Sequence, residues 1–258
     1  MARVLVTGSA QGLGLRTGQL LAREGHAVVL HGRDTGRAAD ARKALPGVED
    51  VVVGDVSTVA GMRDVAAQAN ALGRFDAVVH NVGVGEGARH RPVTADGLTL
   101  TWAVNVLAPY VLTALVTTPD RLVYLTSGML LEGRPDLDDV QFERRRWDAN
   151  AAYCESKLHD LLLTRAFARL LPGARVNAVS PGWVPTRMGG PGAPDDLDEG
   201  CRTQVLLATG TGPLAGETGG YWWHEQPATM HPASGGTALQ DRLLAYCAER
   251  SGVELRLP

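Results

Sequence analysis

The chain has 258 residues and a mass of 27.3 kDa, which suits one large α/β domain. A net charge of −3 gives no electrostatic case for nucleic acid or an anionic membrane surface. Hydrophobic residues make up 45% but only 3 are Phe, so Leu, Val and Ala must fill most of the core.

The predicted elements begin at once. Arg3 to Thr7 is a short β-rich run ending in Gly8-Ser9-Ala10-Gln11-Gly12-Leu13-Gly14, and a helical pattern follows to Glu24. Strand, glycine turn and helix in that order gather backbone N–H groups at a helix N-terminus, where a pyrophosphate can bind. The same turn would also serve plain close packing of helix on strand. A second strand, His26 to His31, completes a βαβ unit and favours the nucleotide. Gly32, Arg33 and Asp34 follow it. A carboxylate at that strand end would bind an adenosine ribose and repel a 2′-phosphate. Here Gly32 leaves space and Arg33 offers a forked, charge-assisted contact to phosphate, so NADP(H) is the expected cofactor. The competing reading is that Asp34 holds Arg33 in a surface ion pair.

Val51 to Gly54 reads as the third strand. Asp55 at its end is placed to accept from an adenine amino group or to cap a helix starting near Ser57 or Thr58. Ala77 to His80 is the fourth strand, followed by Asn81-Val82-Gly83-Val84-Gly85, whose glycines admit a flat ring or ribose close to the backbone. Asn81 could equally do no more than fasten that turn. His80 reads as a satisfied strand-end histidine rather than a metal ligand. Asp96 to Leu115 is helical in pattern with Asn105 in its interior, where an Asn usually has a reason: a held water, a distortion near a cleft, or a solvent-facing side chain. Pro109 predicts a bend or restart there. Arg121 to Ser127 is the fifth strand, and it delivers Ser127 to the edge where open parallel sheets bind ligands. Taken alone, such a Ser is most often a turn residue. Gly128 to Asp148 is a polar excursion packed down by Phe142 and Trp147, and its Arg144-Arg145-Arg146 run is balanced by acids.

Asn150 to Leu171 contains no Gly or Pro, and Leu, Ala and Phe recur at three- and four-residue steps. It reads as a long helix with one buried side. Tyr153 and Lys157 share a face of it, about one turn apart. An ammonium beside a phenol favours phenolate. Alone, the pair could be an ordinary surface contact.

Taken together, Thr7-Gly8-x-x-x-Gly12-x-Gly14, Asn81-x-Gly83, Asn105, Ser127 and Tyr153-x-x-x-Lys157 resemble the short-chain dehydrogenase/reductase family over essentially the whole chain. The helix AAYCESKLHDLLLTRAFARLL is most similar to the retinol-dehydrogenase-like and antibiotic-ketoreductase-like branches. The resemblance implies Tyr153 as general acid/base, Lys157 as holder of the nicotinamide ribose, and Ser127 as the group that positions a carbonyl oxygen. It also implies Asn105 as holder of a relay water. Cofactor contacts are implied at Gly8, Gln11, Gly12, Leu13, Gly14, Arg33, Asp55, Val56, Asn81, Gly83, Tyr153 and Lys157. Pro181, Gly182, Val184 and Thr186 extend that set, since they stand in a stretch similar to the family's Pro-Gly…Thr segment. Two departures stand out: His80 and Val82 replace the first Asn and the Ala of Asn-Asn-Ala-Gly. The stretch from Asn105 to Ser127 is also shorter than is usual, which bears on its helix and on dimerisation through it.

Arg175 to Val179 is the sixth strand and Gly219 to His224 the last, its aromatics in reach of the pocket or of a subunit contact in a homo-oligomer. The expected fold is a single Rossmann-type, doubly wound α/β domain over 1–258 with a mainly parallel seven-stranded sheet. A substrate lid is expected at 183–200, against the plainer reading of a passive loop, and a docking helix at 237–249. The three Cys lack metal or disulfide spacing, no signal-peptide pattern or spanning helix is evident, and a cytoplasmic location follows as an expectation. The expected activity is hydride transfer between NADP(H) and a small carbonyl compound or alcohol, apolar or ring-bearing, with no metal. An epimerase or dehydratase, or a silent NADP(H) sensor, are the alternatives.

Overall fold

Runs of Val and Leu too short for helices form strands that alternate with helices along the chain. A computed structural model describes residues 1–85 and 87–255. β1 (Arg3–Val6), β2 (Ala27–Gly32), β3 (Asp50–Val53), β4 (Ala77–His80), β5 (Arg121–Leu125), β6 (Arg175–Ser180) and β7 (Tyr221–Trp223) pair in parallel. A short β8 (Gln226–Pro227) closes the sheet antiparallel to β7, giving the order β3-β2-β1-β4-β5-β6-β7-β8. The expected sheet of seven strands thus gains an eighth. Its cause is a two-residue turn in which His224 and Glu225 take φ of 46° and 65°, with neither Gly nor Asn to announce it.

The helices are α1 (Gly12–Arg23), α2 (Thr35–Ala44), α3 (Val59–Ala71), a single turn α4 (Leu100–Trp102), α5 (Ala108–Leu115), α6 (Ala149–Leu170), α7 (Leu197–Thr209) and α8 (Thr237–Ser251). Side chains alternate across each strand, so Val4 and Val6 join Leu21, Leu30 and Val205 on one side of the sheet. Leu5 joins Met62, Phe75, Tyr124 and Phe167 on the other. Because strand order reverses between β1 and β4, a crevice opens at their carboxyl ends.

Two expectations need correction, and the distortion and restart that Asn105 and Pro109 left open are present. The helix expected from Asp96 starts only at Leu100, and Asp96 instead accepts from the Val59 N–H at 2.7 Å, at the start of α3. Between α4 and α5 the chain widens into a π-helical segment, Ala103–Leu107, with Asn105 at its middle. The segment 183–200 is shorter as a loop than expected, since α7 already begins at Leu197, where Asp196 accepts from the N–H groups of Asp198 and Glu199. The C-terminal helix packs through buried Leu243 and Cys247 and extends to Ser251.

Candidate active site

The glycine turn is built from β1 outward. Gly8 has φ of +61°, and a Cβ there would stand 2.7 Å from Val82 Cα. At Gly14 a Cβ would collide with the Asn81 carboxamide, whose Nδ2 donates to the carbonyls of Thr7 at 2.8 Å and Gly8 at 3.1 Å. Only glycine permits this approach, which ties the first turn to the loop after β4. Thr7 Oγ1 adds to the tie by accepting from the N–H groups of Asn81 and Val82. His31 Nδ1 accepts from Gly8 N–H at 2.9 Å, so its Nε2 carries the proton and donates to the Gly54 carbonyl. Burial lowers the pKa of this imidazole.

The N-terminus of α1 is left open. Asp34, Thr58, Asp148 and Asp196 cap α2, α3, α6 and α7 with side-chain oxygens, whereas Gln11 makes no capping bond to α1. Free N–H groups at a glycine-lined helix start fit a pyrophosphate. Gly12, with φ of +58°, has Thr186 within 3.7 Å of its Cβ direction, so the loop after β6 forms the opposite wall.

At the end of β2, Arg33 is exposed and its Nε lies 3.2 Å from Asp34 Oδ2. The other oxygen of Asp34 accepts from Arg37 N–H at 2.8 Å as the cap of α2, which fixes that carboxylate at the helix start. Arg37 was not singled out by the sequence reading. Its guanidinium reaches back to Gln11 Oε1 at 3.1 Å, so two arginines flank the approach to the glycine turn. Gly32 has a packing reason as well: a Cβ there would stand 2.8 Å from Ala38 N, so α2 leaves no room for a side chain. Asp55 turns its Oδ1 to Ser57 N–H at 2.9 Å, and Thr58 caps α3. Val56 is buried in the core, which leaves only its backbone to face a ligand.

The loop after β4 is held from behind by Asn105. Fully buried in the wide π turn, its Oδ1 accepts from Val84 N–H at 2.8 Å. Its Nδ2 donates to the Val84 carbonyl at 3.0 Å and to Ser156 Oγ at 2.9 Å. Gly83 lies against both Asn105 and Lys157, whose Oδ1 and Nζ are 3.6 and 3.9 Å from its Cβ direction.

On α6, Tyr153 is half-buried and Lys157 buried on the same face, with Nζ 5.9 Å from the phenol ring centroid. Lys157 Nζ donates to the Leu125 carbonyl at the end of β5 and to Asp160 Oδ2, both at 2.8 Å. Ser127 lies two residues beyond Leu125, and its Oγ accepts from Met129 N–H at 3.3 Å, capping a short 3-10 turn. Tyr221 of β7 completes the surroundings of Tyr153 and Lys157; burial raises its pKa. Asp160 and Ser156 were also missed in sequence, where each reads as an ordinary helix residue, whereas Tyr221 is one of the last-strand aromatics expected in reach of the pocket.

The loop after β6 carries the remaining expected contacts. Pro181 and Gly182 are half-buried, Val184 is buried, and Thr186 Oγ1 accepts from Gly189 N–H at 3.2 Å. The segment after Gly182 is tied to itself: Asp195 accepts from Trp183 N–H at 2.6 Å, and the Trp183 indole donates to the Gly189 carbonyl at 2.8 Å. Met188 lies over Gly85, so this segment reaches the loop after β4. Among the described residues no group of three or more His, Cys, Asp or Glu could hold a metal ion, and no helix is long and apolar enough to cross a membrane.

A family model described as enoyl-(acyl carrier protein) reductase matches residues 8–211. An uncharacterised oxidoreductase of Emericella nidulans is 40% identical over 98% of both chains. The short-chain dehydrogenase chyC of Penicillium rubens is 37% identical over 99% of both. Retinol dehydrogenase 13 of Homo sapiens is 32% identical over 72% of this chain and 60% of its own. Among solved structures, an uncharacterised protein from Mycobacterium paratuberculosis has a TM-score of 0.86 at 26% identity, covering 100% of this chain and 96% of that one. A blue fluorescent protein from a metagenomic library, solved with NADPH, shares the fold with a TM-score of 0.69 at 23% identity, over 86% of this chain and 95% of that one.

Proposed function

This chain belongs to the short-chain dehydrogenase/reductase family of oxidoreductases, and on that premise we propose that it is an NADP(H)-dependent carbonyl reductase or alcohol dehydrogenase. The observation that carries the reading is the meeting of Tyr153, Lys157, Gly83 and the end of β5 at the carboxyl edge of the sheet, beside an uncapped α1. When bound, the nicotinamide supplies the hydride that turns a carbonyl into an alcohol, or takes it back.

The chain's own residues do the rest. Tyr153 gives a proton to the oxygen that gains negative charge, and removes it in the reverse direction. Ser127, at the end of β5, orients that oxygen with its hydroxyl. Lys157 supplies positive charge next to the phenol and hydrogen bonds to the ribose. Asn105 acts by holding the Gly83–Gly85 wall in place. Arg33 and Arg37 favour a 2′-phosphate, and so NADP(H) over NAD(H).

Exposed Trp183 and Met188 on the lid, at 58% and 54% relative exposure, favour an apolar or ring-bearing substrate. Closure of residues 183–196 over such a substrate belongs to the same reading. Three buried cysteines suit a reducing, cytoplasmic setting.

A panel of apolar and aromatic ketones with NADPH, followed by absorbance at 340 nm, tests the activity. Tyr153→Phe should cut kcat by about 10²-fold or more while NADPH binding stays close to wild type. A variant that keeps more than about a tenth of kcat rules out the assignment. Absence of any cofactor oxidation across the panel would favour an epimerase or a sensor.

A further inference from the structure

Lys157 brings its charge into a place where 6% of its side chain reaches solvent, and Asp160 follows with 3%. The Nζ–Oδ2 distance is 2.8 Å, and Asp160 Oδ1 has no other partner among the described residues. The groups around this pair come from four elements besides α6: Tyr124 from β5, Tyr221 from β7, Cys247 from α8, and His80 from β4, which reaches Tyr124 through Thr113. Burial raises the phenols of Tyr124 and Tyr221 and the Cys247 thiol, and pushes His80 down to about 3, so none of them is charged at neutral pH. Burial also pushes Asp160 up to about 6 against the pull of Lys157. On Lys157 burial acts downward, and Asp160 together with the Tyr153 and Tyr221 phenols outweighs it, raising the ammonium. Near pH 7.5 the pair is therefore ionised and, as a pair, neutral.

We propose that Asp160 is a positioning residue: it holds the Lys157 ammonium against the Leu125 carbonyl and offsets its charge, so that Tyr153 lies beside a paired lysine and not a free cation. This rests on the reading of Tyr153 as the acid/base. A paired lysine favours phenolate less than a bare one, so Asp160 keeps Tyr153 in the protonated, donor form that carbonyl reduction requires.

The test needs no substrate. Of the 5 tyrosines, Tyr110, Tyr124, Tyr221 and Tyr246 are all raised by burial. The tyrosinate transition at 295 nm that is present in the wild type and missing from Tyr153→Phe therefore reports Tyr153. Asp160→Asn keeps shape and an acceptor for Lys157, and should move that transition to lower pH by about half to one and a half units. Asp160→Glu keeps the charge and should leave it within about 0.3 unit, so a larger displacement counts against the proposal even if the Asn variant does not fold. In a Lys157→Met background, where a lone buried carboxyl stays protonated, Asp160→Asn should no longer move it. No movement in Asp160→Asn, movement to higher pH, or the same movement without the lysine overturns the proposal. If instead Tyr153→Phe still turns over ketones, the functional reading fails while the titration still reports the pair.

Discussion

Replacing Asn105 by Ala should unfasten the loop after β4. The carboxamide is fully buried and makes three hydrogen bonds, two to the backbone of Val84 and one to Ser156. A hydrogen bond contributes roughly 0.5–1.5 kcal/mol net, and a buried group left unpaired costs roughly 1–3 kcal/mol. Val84 is half-buried, so its N–H and C=O can regain water, and Ser156 keeps its own bond to the Tyr153 carbonyl at 2.8 Å. The expected loss is therefore about 2–3 kcal/mol rather than three full penalties. For a chain of this size that lowers Tm by roughly 5–10 °C. The freed loop contains Gly83, so NADPH affinity should drop about tenfold, the order of re-fixing one backbone residue on binding. Thermal melts by circular dichroism, with and without NADPH, and fluorescence titration of NADPH measure both quantities. Val84→Ala, which keeps the backbone bonds, is the control. An Asn105→Ala protein melting within 1 °C or so of wild type would refute the argument, because it would mean the carboxamide fastens nothing.

Two further outcomes are expected. Arg33→Ala and Arg37→Ala should each weaken NADPH binding about tenfold or more at low salt while leaving NADH within about threefold, since a charge-assisted bond contributes roughly 1.5–3 kcal/mol; kcat/KM for both cofactors decides it, and equal losses for NADH would remove these arginines from a 2′-phosphate site. His159 is fully buried, neither ring nitrogen has a hydrogen-bond partner among the described residues, and burial pushes its pKa down to about 3. A base depressed in the fold refuses a proton that the unfolded chain accepts, so its contribution is lost as pH falls from its unfolded value of 6.5 towards 3. Between pH 7.5 and 5.0, His159→Leu should therefore lose about 2 kcal/mol less stability than wild type in urea unfolding; parallel pH dependence in the two proteins would contradict this.

The sequence by itself determined the framework and set Tyr153 and Lys157 on one helix face. The strand–glycine–helix order at Arg3–Arg23, the strands around Val and Leu runs, and the shared face of Tyr153 and Lys157 all depend on neighbours within a few residues, where helix and strand periods act directly. Tertiary structure decided how the polar groups are used. Asn105 left three readings open in sequence, and its partners Val84 and Ser156 lie 21 and 51 residues away. Lys157 meets Leu125 across 32 residues, and nothing in the local pattern of α6 shows that Asp160 turns inward to it rather than out to solvent. Gly32 reads in sequence as a missing carboxylate, yet α2 packs so close that no side chain fits, and the case for a 2′-phosphate passes to Arg33 and to Arg37, which the fold brings to Gln11. The eighth strand was hidden because His224 and Glu225 adopt positive φ without a glycine. Periodicity is a property of adjacent residues, whereas a buried polar group must find its partner wherever the packed chain supplies one.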